Sequence, residues 1–148
     1  MISATIDQEI KRAMLAKDQA RLRGLRAIKA AILLAKTEKG QAVELTEESE
    51  MKILQRLVKQ RKESATIYKE QGREDLFTVE KEEIDVINQF LPQQISNEAI
   101  AIVVARIIVE TGATSIKEMG KVMGLANKEL AGKADGKLIG ELVKAQLG

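Results

Sequence analysis

A chain of 148 residues that is 45% hydrophobic has enough apolar surface for one ordinary domain or two small ones. It contains no histidine, cysteine or tryptophan, which excludes thiol chemistry, disulfides, the usual zinc sites and any Ser/His/Asp arrangement; acid–base work would fall to a carboxylate or lysine shifted by burial. Twenty-four basic and 22 acidic residues leave a net charge of +2, far from the footprint of a protein that holds nucleic acid by overall charge, so any such binding has to come from a local patch. No catalytic residue, metal or cofactor is expected.

Met1-Ile2-Ser3-Ala4-Thr5 leads straight into a charged amphipathic segment, without the basic start, apolar run and cleavage site of a secretory signal. No run of about 18 apolar residues follows, and a cytoplasmic protein with no membrane partner is expected. Thr5-Ile6-Asp7-Gln8 reads as a capping box opening a first helix, with Ile6, Ile10, Ala13 and Met14 on one face. Asp18 caps a second helix, from about Gln19 to Lys39, in which Leu22, Leu25, Ile28, Ile32 and Leu33 form the apolar stripe and Gly40 the C-cap. Gly24 inside it costs up to about 1 kcal/mol against alanine; it marks either a close contact with a neighbouring helix or a tolerated glycine.

Thr46 followed by Glu47, Glu48 and Glu50 places acids on the positive end of a third helix, the longest, which runs to about Gln71 before Gly72. Met51, Leu54, Val58, Ala65 and Tyr68 make a seam of heptad spacing that Arg61 interrupts, so the far half is expected to leave the core. Arg56, Lys59, Arg61 and Lys62 form the densest basic cluster. It is either a solvated face, with Lys59 and Glu63 paired at i, i+4, or a phosphate-binding ridge.

Gly72-Arg73-Glu74-Asp75 breaks the chain before a fourth helix carrying Leu76, Val79, Ile84, Ile87, Phe90 and Leu91. Glu82, Glu83 and Asp85 on it are expected to form a hydrated charged face, since adjacent helical residues point in different directions. Pro92, the only proline, closes it, and Leu91-Pro92-Gln93-Gln94-Ile95 reads as a linker. The boundary is placed there, giving an N-terminal helical part, 1–93, and a C-terminal part, 94–148. Charge does not separate the two, with 17 basic against 16 acidic residues in 1–92 and 7 against 6 beyond; glycine does, with three before the boundary and seven after.

Ser96 caps a fifth helix with Ile100, Val103, Val104, Ile107 and Ile108 at i, i+3, i+4, i+7, i+8, and Gly112 ends it. Ser115-Ile116-Lys117-Glu118 is a second capping box, opening a sixth helix with Ile116, Met119, Val122 and Met123 on its buried side. Asp135 caps a seventh, whose Leu138, Ile139, Leu142, Val143 and Leu147 point inward. The predicted fold class is all-α: four helices, a proline break, then a compact three-helix bundle.

Met119-Gly120-Lys121-Val122-Met123-Gly124 and Gly132 to Gly140 interleave glycines with lysines. Neither is a nucleotide loop, because the patterns do not match and no strand precedes them. Gly120 and Gly124 share a helix face, as do Gly136 and Gly140, which predicts close packing of neighbouring backbones. Lys121, Lys128, Lys133 and Lys137 surround the turn that holds Gly132, and the helix start at Asp135 adds a positive dipole and free amides, together a phosphate-backbone site. The aromatics Tyr68, Phe77 and Phe90 all precede the boundary, so stacking on bases is not the main mode; shape and phosphate contacts to a folded RNA are.

Five ordered motifs, Lys59-Gln60-Arg61-Lys62-Glu63-Ser64, Gly72-Arg73-Glu74-Asp75-Leu76, Phe90-Leu91-Pro92-Gln93-Gln94, Met119-Gly120-Lys121-Val122-Met123 and Ala134-Asp135-Gly136-Lys137, resemble the GatB/YqeY family. These are stand-alone helical proteins similar to the C-terminal tail of the B subunit of glutamine-dependent aspartyl/glutamyl-tRNA amidotransferase. Glu118 departs from the family, which more often has aspartate there. The resemblance implies a two-part helical fold and a tail that helps hold transfer RNA while other domains do the chemistry. The amidase subunit and the kinase-like cradle domain have no counterpart here, so transamidation by this chain alone is not expected.

The leading expectation is therefore a non-catalytic module that binds transfer RNA or a tRNA-handling enzyme, not DNA, through Lys121, Lys133 and Lys137, then Lys128, Arg61 and Lys59. The alternative is a protein-interaction adaptor using the third helix or the glycine faces. A carbon–nitrogen ligase with glutamine as amido donor comes third, by family association alone.

Overall fold

The structure, a computed structural model, describes residues 1–38 and 44–148. Those residues form seven α-helices and two short 3-10 turns, with no strand among them. The expected cap at Gly40 lies outside the described residues. The chain divides into two compact units, Met1–Leu91 and Pro92–Gly148.

The N-terminal unit holds a 3-10 turn, Ile2–Ala4, then α1 (Ile6–Leu15), α2 (Gln19–Thr37), α3 (Glu47–Glu70) and α4 (Glu74–Asn88). Local chemistry starts two of these helices as expected. The Asp18 carboxylate accepts from the Arg21 amide at 3.1 Å and the Thr46 hydroxyl from the Ser49 amide at 3.1 Å. Thr5 does not cap. It sits in the helical region itself, and its hydroxyl turns back to donate to the Ile2 carbonyl at 3.4 Å, an acceptor that the preceding 3-10 turn supplies. Glu50, in the first turn of α3, is 2% exposed and accepts from the Ser3 amide at 3.0 Å, tying that N-terminal turn to α3.

Leu22, Leu25, Ile28 and Ile32 from α2, Leu54 and Val58 from α3, and Ile84, Val86 and Ile87 from α4 make one core. Two residues predicted to face inward do not, Met14 and Leu33 being 55% and 50% exposed. Met14 falls in the last turn of α1, and Leu33 stands about 100° round the helix from buried Ile32. Gly24 is buried in α2 where α4 crosses it: a Cβ placed there would lie 2.7 Å from both Cβ and Cγ1 of Val86. Of the two readings of this glycine, the close contact is the one the fold requires.

The core takes only Leu54 and Val58 from α3, so the far half leaves it as expected, but that half is not bare. Gly72, at φ +69°, reverses the chain, and α4 returns along α3, burying Ala65 beside Phe77 and Ile84. In that turn the Arg73 guanidinium donates to both Asp75 oxygens at 3.2 and 3.1 Å and holds the Asp75 carboxyl below the usual carboxylate range. Arg61, which interrupts the apolar seam, donates from Nε to Glu83 of α4 at 2.9 Å, with the two side chains 19% and 15% exposed. The seam is thus completed by a partly buried ion pair that one helix read by itself cannot show.

Removing one member of such a pair leaves the other charge half desolvated. Arg61→Ala is therefore expected to cost about 2 kcal/mol, between the values for exposed and buried pairs. Lysine should restore only part, lacking the planar guanidinium that presents Nε to the carboxylate. Urea unfolding of the three proteins decides the point, and an alanine variant as stable as the parent would refute it.

The C-terminal unit contains α5 (Asn97–Thr111), a 3-10 turn Ile116–Glu118, α6 (Met119–Glu129) and α7 (Gly136–Leu147). Ser96 caps α5 through the Ala99 amide at 3.2 Å, and Gly112 ends it in the left-handed region at φ +70°. The Ser115/Glu118 capping box forms. Ile100, Val104, Ile107, Val122, Ala126, Leu130, Ile139 and Val143 fill the core. Ile116, predicted to be buried, is 45% exposed, because it belongs to the 3-10 turn and not to the helix that follows. Among the described residues no single helix is long and apolar enough to cross a membrane.

Candidate nucleic-acid interface

The turn between α6 and α7 is held from three sides. Leu130 and Ala134 are buried in it, and Gly132 adopts φ +76°, where a side chain would strain the backbone. The segment before α5 then docks on it: the Ile95 amide donates to the Lys133 carbonyl at 3.1 Å and the Gln94 side-chain amide to the Gly132 carbonyl at 2.6 Å. Gln94 and Gly132 come from different motifs, and the sequence offers no sign that they meet. The effect is to fix the backbone of Lys133 while its side chain stays exposed.

Lys121, Lys128 and Lys137 are also exposed. The salt bridges found in this unit join Arg106 to Glu110, at 3.0 Å, and to Glu129; among the described residues none of the four lysines takes part in one. Their charge is therefore available to a ligand. The start of α7 is less so: the Asp135 carboxylate caps it and accepts from the Lys137 amide at 3.2 Å. An N-cap carboxylate satisfies one helix-end amide and repels a second anion, which weakens this helix start as an anion site. The lysine side chains remain.

The glycines divide into two kinds. Gly140 is buried, and a Cβ there would lie 3.0 Å from the Met123 terminal methyl, so α6 and α7 approach closely at this point. Gly136 meets only the Asn127 side-chain oxygen, at 3.4 Å. Gly120 and Gly124 do not pack against anything: a Cβ added at either has no neighbour within 4 Å. The predicted close packing is overturned for this pair. Glycines four residues apart share a face, but the spacing does not say which. Val122 and Ala126 take the core side of α6, and residues two positions away stand about 200° round, toward solvent.

The outer face of α6 is consequently bare backbone at Gly120 and Gly124, continued by Lys128 one turn on and flanked by Lys121. Leu125, 45% exposed, adjoins it. A large ligand meets little relief there and finds one cation beside the face and another at its far end.

The remaining candidates belong to the N-terminal unit. Lys59 is exposed on α3, whereas Arg61 is committed to Glu83. The carboxylates of α4 are not a uniformly hydrated face: Glu83 is held by Arg61, and Glu82 accepts from Arg23 at 2.6 Å. No group of three or more carboxylates is disposed to hold a metal ion among the described residues.

Burial pushes the Glu80 carboxyl above its ordinary value, the Glu83 charge adds to this and Arg61 opposes it. A carboxyl with a higher pKa folded than unfolded binds more protons in the folded state, so its contribution to stability falls as pH rises through the interval between the two values. Glu80→Gln is accordingly expected to raise the thermal midpoint at about pH 7 and to leave it nearly unchanged at about pH 3, where both side chains are neutral. Equal shifts at the two pH values would rule this out.

These features define an all-helical protein with a cationic, low-relief surface on its C-terminal unit. The family model described as Yqey-like protein matches residues 3–147, nearly the whole chain, and the protein belongs to that family. No curated protein matches the sequence.

Proposed function

We propose that the protein is a non-catalytic RNA-binding module that engages transfer RNA, alone or on a tRNA-handling enzyme. The observation that carries this reading is the outer face of α6, where Gly120 and Gly124 are open to solvent with Lys121 beside them and Lys128 one turn on, and with Lys133 and Lys137 on the neighbouring turn and helix. Bare backbone lets a phosphodiester chain come close, and exposed lysines without salt bridges neutralise phosphates. The C-terminal unit has no aromatic residue, which favours contacts to the shape and backbone of a folded RNA over stacking on unpaired bases. Transfer RNA as the particular RNA rests on the similarity to the amidotransferase tail, and DNA is not expected.

A gel shift with transfer RNA at low salt tests the proposal against the Lys121→Glu/Lys133→Glu/Lys137→Glu variant. Absence of binding by the parent protein, or unchanged binding by the variant, would overturn it. The protein-adaptor reading keeps one observation in its favour, the exposed Leu125 beside the glycine face. The seam of α3 no longer supports it, since Leu54, Val58 and Ala65 are buried within the unit. A partner retained after nuclease treatment but lost on replacing Leu125 by glutamate would favour the adaptor. The amide-ligase reading has family association alone.

A further inference from the structure

The N-terminal unit carries a second cationic surface, different in kind from the glycine face of α6. Between α3 and α4 lies an open groove of about 630 Å³ whose floor is Ala65, Phe77 and Ile84. Lys62, Lys69 and Lys81 line it, against a single acid, Glu70. Lys62 and Lys69 are two helical turns apart, about 10 Å along one side of α3. Because the turn at 71–73 makes the two helices antiparallel, Lys81 on α4 stands level with the Lys62 end, and Lys69 with the Phe77 end. The Lys69 ammonium lies 5.9 Å from the Phe77 ring centroid. None of the three lysines is in a salt bridge among the described residues.

We infer that this groove is a docking site for an acidic amphipathic helix of a protein partner, its carboxylates on Lys62, Lys69 and Lys81 and an aliphatic side chain seated on Ala65, Phe77 and Ile84. Charge complementarity requires an anionic partner, with three cations set against one acid. The floor requires an apolar one, since it is made of an alanine methyl, an isoleucine and a ring. A small amphiphilic anion would want most of its surface enclosed, and this trough is more open than closed. A phosphate backbone could meet the three lysines but would leave the apolar floor of Ala65, Phe77 and Ile84 unfilled, and the Phe77 face that could stack a base is taken by Lys69. A helix laid between two helices meets both requirements, placing apolar anchors at i and i+4 and carboxylates beside them.

The test uses the full chain, isotopically labelled for NMR, and a fluorescein-labelled 14-residue peptide of glutamate and leucine with leucines at helical spacing. Binding is expected with a Kd of roughly 10–100 μM, with amide shifts confined to residues of α3 and α4 that border the groove. The Lys62→Glu/Lys69→Glu/Lys81→Glu variant should bind at least about tenfold more weakly, and so should a peptide with serine in place of leucine. The site is overturned by absence of binding, by shifts outside the groove, by equal affinity for the serine peptide, or by a single-stranded RNA oligonucleotide displacing the leucine peptide from the groove. Mapping on the parent protein keeps the test decisive even if the triple variant does not fold.

Discussion

Replacing Gly24 by alanine is expected to destabilise the N-terminal unit by about 2–3 kcal/mol, the range for overpacking a core that cannot relax. The new methyl would lie 2.7 Å from two atoms of Val86 and 3.3 Å from a third. One of the near atoms is the Val86 Cβ, which no rotamer change can move, and the β-branched side chain has few alternatives for the others. Relief would require α2 and α4 to separate, opening a core in which Leu25, Ile28 and Ile87 are fully buried. Alanine gains up to about 1 kcal/mol in helix propensity over glycine, so the sign of the change is a direct contest, and the contact should win.

A double-mutant cycle shows whether the cause is this contact. Val86→Ala keeps the offending Cβ and should rescue Gly24→Ala only in part; Val86→Gly removes it and should give a favourable coupling of about 1 kcal/mol or more. The chain has a single tyrosine, Tyr68, and no tryptophan, so tyrosine fluorescence during urea unfolding follows α3 specifically. A Gly24→Ala protein as stable as its parent would show that α2 and α4 adjust freely.

The triple lysine reversal should have the larger effect on binding. Three phosphate contacts at about 1 kcal/mol each amount to about 3 kcal/mol, or a loss of roughly a hundredfold. The dependence of affinity on salt should also fall, by about one ion per contact removed. Lys121, Lys133 and Lys137 are exposed and outside any salt bridge described here, so the helical signal of the variant should match that of the parent.

Two controls separate this surface from general electrostatics. Arg61→Ala lowers the net charge but removes a residue already paired with Glu83, and RNA affinity should be unchanged. Gly120→Leu/Gly124→Leu keeps every charge and, with open space around both positions, should fold normally while blocking approach to α6. If that pair binds transfer RNA as the parent does, the bare face has no part in recognition even if the lysines do.

The glycine and lysine stretch shows how far a helical pattern can be read. The exposure of its lysines was legible, because charged side chains off an apolar stripe go to solvent. The direction of its glycines was not: period 3.6 groups residues by face, and glycine adds no hydropathy by which to assign the face. Arg61 shows a related limit. Its place in the seam could be seen, but Glu83, which makes that place tolerable, stands on another helix 22 residues away.

Contacts such as Gln94 to Gly132, 38 residues apart, leave no periodic trace at all. The choice at Gly24 stayed open for the same cause, since its answer depended on Val86.

The sequence by itself determined the all-helical class, the caps at Asp18, Thr46, Ser96 and Ser115, the stripes of α5 and α7, and that of α2 as far as Ile32, because each depends on residues close together along one helix. Thr5 marks the limit even there, its hydroxyl taken by a turn that forms just upstream. Only the tertiary structure decided that α4 returns along α3, that Arg61 is held by Glu83, that Gly24 is a contact point, and that Gly120 and Gly124 face outward. Those outcomes depend on which surfaces meet, and a pattern along one helix carries no record of its neighbour.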